Sequence, residues 1–254
     1  MIKNAMIAIV LVGGKQSLVS ELYPDLPSPL IPVKGEPFLY WLTQWLKIQG
    51  FTHIVYSAGH YAEKITAWAH HFASIEPTLC LDVVTENRPL GTAGAATLCA
   101  NRYPSSFTFV VNGDAILLTD LRPIIAEFQQ RSSLDAIIFG TNVTNAGRFG
   151  TLERDPNQRL IAFREKKAGL GLINAGVYLL RNELLSHVNT DKETSLEYDC
   201  FPYWLTQHKN IHTIDSTAPF IDIGTPETLK RAHELIDEYQ GILTGQKEIQ
   251  AAYV

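Results

Sequence analysis

The sequence predicts an α/β fold: a doubly wound, mostly parallel sheet with a small mixed-sheet lobe. Three observations predict it. Strand-like and helix-like runs alternate through the first 141 residues. Two of the early strands end in turn-forming residues, Gly13-Gly14 and Asn112-Gly113-Asp114. After about residue 142 the rhythm changes to short strands separated by turn residues. A β-α-β-α order with short connections and right-handed crossovers builds a parallel sheet.

Met6–Val12 is an apolar run of strand length, as expected of a strand buried on both faces. Over Pro37–Gln49 the residues Phe38, Leu39, Trp41, Leu42, Trp45 and Leu46 fall at helical spacing, and Gly50 stops the helix. His53–Ser57 is a short β-branched and aromatic strand, and Tyr61–Phe72 repeats at helical period. Cys80–Thr85 reads as a strand, Gly94–Ala100 as an Ala-rich helix, and Phe107–Val111 as a strand. Leu121–Arg131 is helical and Asp135–Thr141 a strand. Beyond these, Gly150–Arg154, Leu160–Glu165 and Ala175–Leu180 are short strands. Leu196–Gln207 and Pro226–Tyr239 are helical, with Ile211–Ile214 and Pro219–Asp222 extended between them.

The chain has 254 residues, 46% apolar and 19% charged, enough to bury a sizeable core. A net charge of −5 argues against a general nucleic-acid binder, which would present a basic face. Met1–Met6 leads straight into a strand without the charged and apolar regions of a signal peptide. No stretch is long and charge-free enough to span a bilayer. Cys80, Cys99 and Cys200 are scattered and form no C-x-x-C pair, so they read as small buried hydrophobes in a reducing cytoplasm.

Four segments carry candidate chemistry. Ile9-Val10-Leu11-Val12-Gly13-Gly14 runs a strand into glycines, which either present N–H groups to a phosphate or make a plain turn. Glu86–Ala95 follows a strand and opens a helix. Gly91 and Gly94 flank Thr92 there, leaving free N–H donors and room for a ligand, with Thr92 as an ordinary cap the alternative. Val110–Asp114 puts a carboxylate at the carboxyl end of a strand, where ligands of open α/β sheets lie. Such an acid suits Mg²⁺, although Asn-Gly-Asp is also strong turn chemistry. In Phe220–Glu227, Thr225 caps a helix, Pro226 takes its first position and Glu227 charges its first turn, which accounts for every residue but Asp222. Asp120 reads as a cap ahead of Leu121. His70 and His71 point about 100° apart on a helix and read as a surface pair.

In this order the motifs resemble those of sugar-1-phosphate nucleotidyltransferases, and the match covers nearly the whole chain. That family writes Leu-Ala-Gly-Gly, then Gly-Thr-Arg-Leu and Pro-Lys-Pro-Leu. Here the loop reads Gly13-Gly14-Lys15-Gln16-Ser17-Leu18, followed by Pro27-Ser28-Pro29-Leu30. Gln16 stands for the second-half Gly, Leu18 for the Arg and Ser28 for the Lys. Pro89-Leu90-Gly91-Thr92-Ala93-Gly94-Ala95, Asn112-Gly113-Asp114, Glu165-Lys166, Asn174-Ala175-Gly176, Ser195-Leu196-Glu197 and Asp222-Ile223-Gly224-Thr225-Pro226 follow the family pattern. The length and the Pro37-Phe38-Leu39 helix look most like the compact heptose- or hexose-1-phosphate members, including D-glycero-D-manno-heptose 1-phosphate guanylyltransferases.

The resemblance implies a Rossmann-like fold of the nucleotide-diphospho-sugar transferase type. It implies one domain over residues 1–254, with a nucleotide-binding half at 1–141 and a sugar-binding half at 142–254. By the same resemblance Leu11, Gly13, Gly14, Glu86, Pro89, Gly91, Thr92 and Gly113 bind the nucleotide, and Asp114 and Asp222 hold Mg²⁺. Phe149, Gly150, Glu165, Lys166, Asn174, Ala175 and Gly176 form the sugar pocket. Lys15, Asp114 and Lys166 carry the catalysis. The implied partners are an NTP and a sugar 1-phosphate, with no nucleic acid and no membrane. Leu243–Val254 reads as a loose tail or a homo-oligomer contact. Two readings follow from the altered loop. One is a nucleotidyltransferase that uses Lys15 and Lys166 in a rearranged loop. The other is a weak or inactive relative that binds nucleotide or sugar nucleotide as a regulatory subunit.

Overall fold

The computed structural model describes residues 6–14, 18–147, 149–164 and 169–253. The chain begins β1 (Ile7–Leu11), β2 (Pro32–Val33), β3 (Glu36–Pro37), α1 (Phe38–Ile48), β4 (His53–Ala58), α2 (Ala62–Ile75) and β5 (Cys80–Thr85). There follow α3 (Gly91–Arg102), β6 (Phe107–Asn112), β7 (Ala115–Leu117), α4 (Arg122–Gln130), β8 (Ala136–Val143), β9 (Thr151–Arg154) and β10 (Leu160–Arg164). The remaining elements are β11 (Gly171–Arg181), α5 (Asn182–Leu185), α6 (Phe201–Thr206), β12 (Ile211–Ser216), β13 (Phe220–Asp222) and α7 (Pro226–Leu243). Short 3₁₀ turns occupy Leu18–Glu21 and Ser28–Leu30, and a π turn at Leu196–Cys200 leads into α6.

These elements form two compact units. The first takes the described residues of Met1–Pro89, Val111–Leu118 and Pro219–Gln250; the second takes those of Leu90–Val110, Thr119–Ala218 and Ala251–Val254. The partition therefore differs from a single cut at 141. The reason is local: β13 pairs antiparallel with β7, and α7 packs on β13, so residues near 220–243 belong with the first strands.

In the first unit β1 runs parallel to β4 and β4 parallel to β5. The end of β6 lies beside β1, where the Gly113 N–H donates to the Leu11 carbonyl at 2.9 Å. The chain thus steps outward from β1 through β4 to β5, then returns to the other side of β1. That reversal marks the place where open α/β sheets bind ligands, at the carboxyl ends of the strands. Helix α1 buries Phe38, Leu39, Leu42, Trp45 and Leu46, a single stripe at helical period. Full burial of such side chains stabilises by about 1.5–3 kcal/mol each. Gly50, with φ 89°, ends α1 by donating to Lys47 O while Phe51 N donates to Leu46 O. Only a residue at ease in the left-handed region closes a helix this way.

The second unit is a mixed sheet, in keeping with the expected lobe. β11 pairs antiparallel with β8, β9 antiparallel with β10, and β12 parallel with β8. β11 is longer than the Ala175–Leu180 run because a register shift between Asn174 and Val177 absorbs the Ala175-Gly176 step. The expectation of a loose C-terminal tail is corrected here. Thr217 N donates to Ala252 O at 2.9 Å, Ala252 N to Thr119 Oγ1 at 2.9 Å, and Ser216 bridges Tyr253. No helix among the described residues is long and apolar enough to cross a membrane.

Candidate active site

In the first unit, backbone crowding explains the glycines at the strand ends. A Cβ on Gly13 would meet Glu86 Oε1 at 2.7 Å and Gly59 N at 2.8 Å. One on Gly113 would meet Leu11 O and Val12 Cγ1, each at 2.7 Å, with the Pro29 ring at 3.3 Å. Both positions therefore require Gly so that strand ends and loops can close on one another. Gly14 has open space at the same test and is exposed, so its backbone faces solvent. Glu86 is half-buried and accepts the Ser57 hydroxyl at 3.1 Å. Leu11 is half-buried at the end of β1, and Pro89 is exposed.

Asp114 follows β6 at the reversal point, and Asp222 ends β13. The β7–β13 ladder pairs Asp222 with Ala115, and Ile223 N donates to Asp114 O at 3.2 Å. Two half-buried acids thus stand one residue out of register at the ends of adjacent strands. Asp222 Oδ1 accepts from Gly224 N at 2.7 Å and from Thr228 Oγ1 at 3.1 Å, which fixes its carboxylate. Thr225 caps α7 in a reciprocal box with Thr228, as its sequence position predicted. Two residues before Asp114, Asn112 Oδ1 is buried and has no hydrogen-bond partner among the described residues. Two carboxylates and an unsatisfied amide oxygen from neighbouring backbone positions are hard oxygen donors, a chemistry that fits Mg²⁺.

Leu18 opens the first 3₁₀ turn and is 63% exposed. Ser28 is half-buried and opens the second between buried Pro27 and Pro29. Lys15 and the pair Glu165-Lys166 lie outside the described residues.

In the second unit, the start of α3 departs from the sequence expectation. Its amides at Ala93 and Gly94 are not free donors; both go to Thr194 O, at 2.9 and 3.3 Å. Gly91, with φ 72°, admits the protein's own loop, since a Cβ there would stand 2.4 Å from Thr194 O. Thr92 is not the cap either. Its hydroxyl donates to Glu197 Oε2 at 2.8 Å and accepts from Leu196 N at 2.7 Å. We expect Gly91→Ala to cost about 3 kcal/mol through forbidden backbone and overlap. A thermal melt would show it as a fall of roughly 10 °C.

Glu197 is the residue that the sequence underrated. Its carboxylate takes Thr92, the Ser195 hydroxyl at 2.7 Å and the Tyr178 hydroxyl at 2.6 Å. Tyr178 in turn accepts from Asn174 Nδ2 at 2.7 Å. Asn174 Oδ1 accepts from Gly176 N at 3.0 Å, and Asn174 N donates to Gly150 O at 3.2 Å. One half-buried chain of hydrogen bonds therefore ties the α3 start to the Asn174-Ala175-Gly176 bulge and to Phe149-Gly150. Ala175 and Gly176 are buried within the bulge, while Phe149 and Gly150 are half-buried. Only the Ser-Leu-Glu resemblance signalled Glu197, because two of its three partners come from the distant residues 92 and 178. Burial among acids pushes the neighbouring Cys200 thiol up to about 12, so it stays a neutral core group.

Asp120 does not cap α4 at its expected position. It sits one residue earlier, accepting from Arg122 N at 3.0 Å and pairing with the Arg122 guanidinium, which lowers its carboxyl below the usual range. His70 and His71 are both exposed, as a surface pair should be.

A family model described as nucleotidyl transferase matches residues 7–238. A D-glycero-alpha-D-manno-heptose 1-phosphate guanylyltransferase from Aneurinibacillus thermoaerophilus is 30% identical over 238 residues, 92% of this chain and 100% of that protein. A mannose-1-phosphate guanylyltransferase from Mycobacterium tuberculosis is 28% identical over 88% of this chain, which spans 62% of that longer protein. Among solved structures, HddC from Yersinia pseudotuberculosis complexed with GMP-PN superposes with a TM-score of 0.79 at 28% identity. That match covers 91% of this chain and 99% of the other.

Proposed function

The chain belongs to the nucleotidyl transferase family, and from that premise we propose that it makes an NDP-sugar from an NTP and a heptose or hexose 1-phosphate. Guanylyl transfer is the form we favour, since the relatives described above are guanylyltransferases. The observation that carries the reading is the pair Asp114 and Asp222 on joined strand ends, at the reversal point of the first unit's sheet.

In the proposed reaction an oxygen of the sugar 1-phosphate attacks the α-phosphorus, a new P–O bond forms, and pyrophosphate leaves with the old one. Little covalent work falls to the protein, so catalysis rests on positioning and charge neutralisation. Gly13, Gly14 and Gly113 leave backbone close to the phosphates. The Glu86 carboxylate, steadied by Ser57, suits the N–H donor edge of guanine. Asp114 and Asp222 would hold Mg²⁺, which when bound would neutralise charge on the phosphates. Gly91 and Thr92 act by holding the 194–197 loop, and Glu197 holds the Asn174 bulge that shapes the sugar site. Pro89 and Leu11 are assigned to the nucleotide, Phe149, Gly150, Ala175 and Gly176 to the sugar, and Glu165 is the acid proposed for the sugar hydroxyls. Lys15 and Lys166 are proposed cations for the leaving group and for the sugar phosphate. The reaction would run in a reducing cytoplasm, where Cys80, Cys99 and Cys200 stay out of disulfides.

The test is pyrophosphate release by the purified protein with Mg²⁺, each of the four NTPs and a panel of heptose and hexose 1-phosphates. We expect release to be fastest with GTP and to stop when the metal is chelated. Nucleotide binding without release from any pair would overturn the reading in favour of a regulatory binder, which Leu18 and Ser28 in place of cations would then explain.

A further inference from the structure

At the opposite end of the first unit's parallel sheet, three metal-ligating side chains converge. His53 is the first residue of β4 and Cys80 the first of β5, and the parallel register sets them directly side by side. Asp82 lies two residues on along β5, so it shares the Cys80 face. His53 Nε2 and Asp82 Oδ2 are 2.8 Å apart, and one ligand atom from each of the three residues lies within 4.8 Å of the other two. These are amino ends of strands, whereas Gly13 and Asp114 follow carboxyl ends. The cluster is therefore separate from the proposed reaction and does not rest on it.

We propose that His53, Cys80 and Asp82 form a transition-metal site, with Zn²⁺ the best fit. The soft thiolate and the borderline imidazole select Zn²⁺ over Mg²⁺, and Zn²⁺ also accepts the carboxylate oxygen. Tetrahedral Zn²⁺ with bonds of about 2.0–2.3 Å asks for ligand atoms some 3–4 Å apart, within a side-chain rotation of the spacing seen. Cys80 is exposed, so solvent completes the fourth position and the ion has an open path. Its effect would be a clip across β4 and β5, the outermost strand pair of this sheet. A ligand that binds only the folded chain stabilises it by mass action.

The experiment is a titration of chelator-stripped protein with Co²⁺ and then Zn²⁺. The expected result is a thiolate-to-cobalt charge-transfer band in the near ultraviolet that saturates at one Co²⁺ per chain and is lost as Zn²⁺ displaces the cobalt. Cys80→Ser should abolish the band, and His53→Gln should weaken Zn²⁺ by about tenfold or more, since even outer-shell changes cost that much. Asp114→Asn should leave the band intact, which separates this site from the acids of the proposed reaction. In the unmodified protein, Zn²⁺ should slow alkylation of Cys80, a readout independent of whether the variants fold. Absence of the band, a band that survives Cys80→Ser, or alkylation indifferent to Zn²⁺ would each overturn the proposal.

Discussion

Asp114→Asn is expected to lower kcat by about 10³-fold, the scale of losing a group that stabilises transition-state charge. The amide is isosteric, keeps one oxygen and removes the negative charge. Asp114 follows Gly113, whose N–H donates to the Leu11 carbonyl and whose close approach to Leu11 and Val12 holds the Asn-Gly-Asp turn. Because Asn keeps the shape of Asp, turnover should fall far more than stability. A second signature separates a metal role from a fold role: the Mg²⁺ concentration for half-maximal rate should rise in Asp114→Asn. Steady-state rates over a Mg²⁺ series, with a melting curve on the same preparation, check both. A full-rate variant would remove Asp114 from the site.

The second large effect runs in the other direction. Leu18→Arg combined with Ser28→Lys is expected to raise kcat by about 10²-fold, within the range found for single electrostatic stabilisers. Leu18 is 63% exposed, so a guanidinium meets no steric barrier there. A planar fork grips a polyphosphate bidentately, which a Lys15 ammonium cannot reproduce. Ser28 opens its turn beside Pro29, whose ring packs near Gly113, so a Lys there lies on the Asp114 side of the first unit. The measurement is kcat and KM for GTP in the double variant and in each single. An unchanged rate would show that the loop holds the triphosphate by another arrangement.

Much of the fold was legible because the hydrophobic period was clean. α1 and β1 fall within a residue of the positions their patterns gave. β7 was hidden because Ala115-Ile116-Leu117 follows a strong turn signal and is only three residues long. The β2–β3 hairpin was hidden because prolines occupy Pro32 and Pro37, residues that speak against strands. In the site, Asp114 and Asp222 could be named from spacing and resemblance, yet their adjacency needed the β7–β13 ladder between segments a hundred residues apart. Thr92 shows the limit most clearly. Its local context reads as a cap, but its partners are Leu196 and Glu197, and no local pattern carries that information. Gly91 was read as a glycine that lets a ligand approach the backbone, and the group found against it is Thr194 of the same chain.

The first unit is stitched from three separated stretches of chain, the last of which starts at Pro219. On a ribosome, β1, β4 and β5 emerge early and can pair with one another, but β7 waits for β13. Asp222 therefore reaches its place only long after β1, β4 and β5 have been made. Such long-range closure is slow and leaves an intermediate with an unpaired strand open to misassembly. The nascent protein is accordingly a scaffold without its second acid until β13 has been made, and chains cut short before β13 should accumulate as nucleotide-incompetent, aggregation-prone fragments.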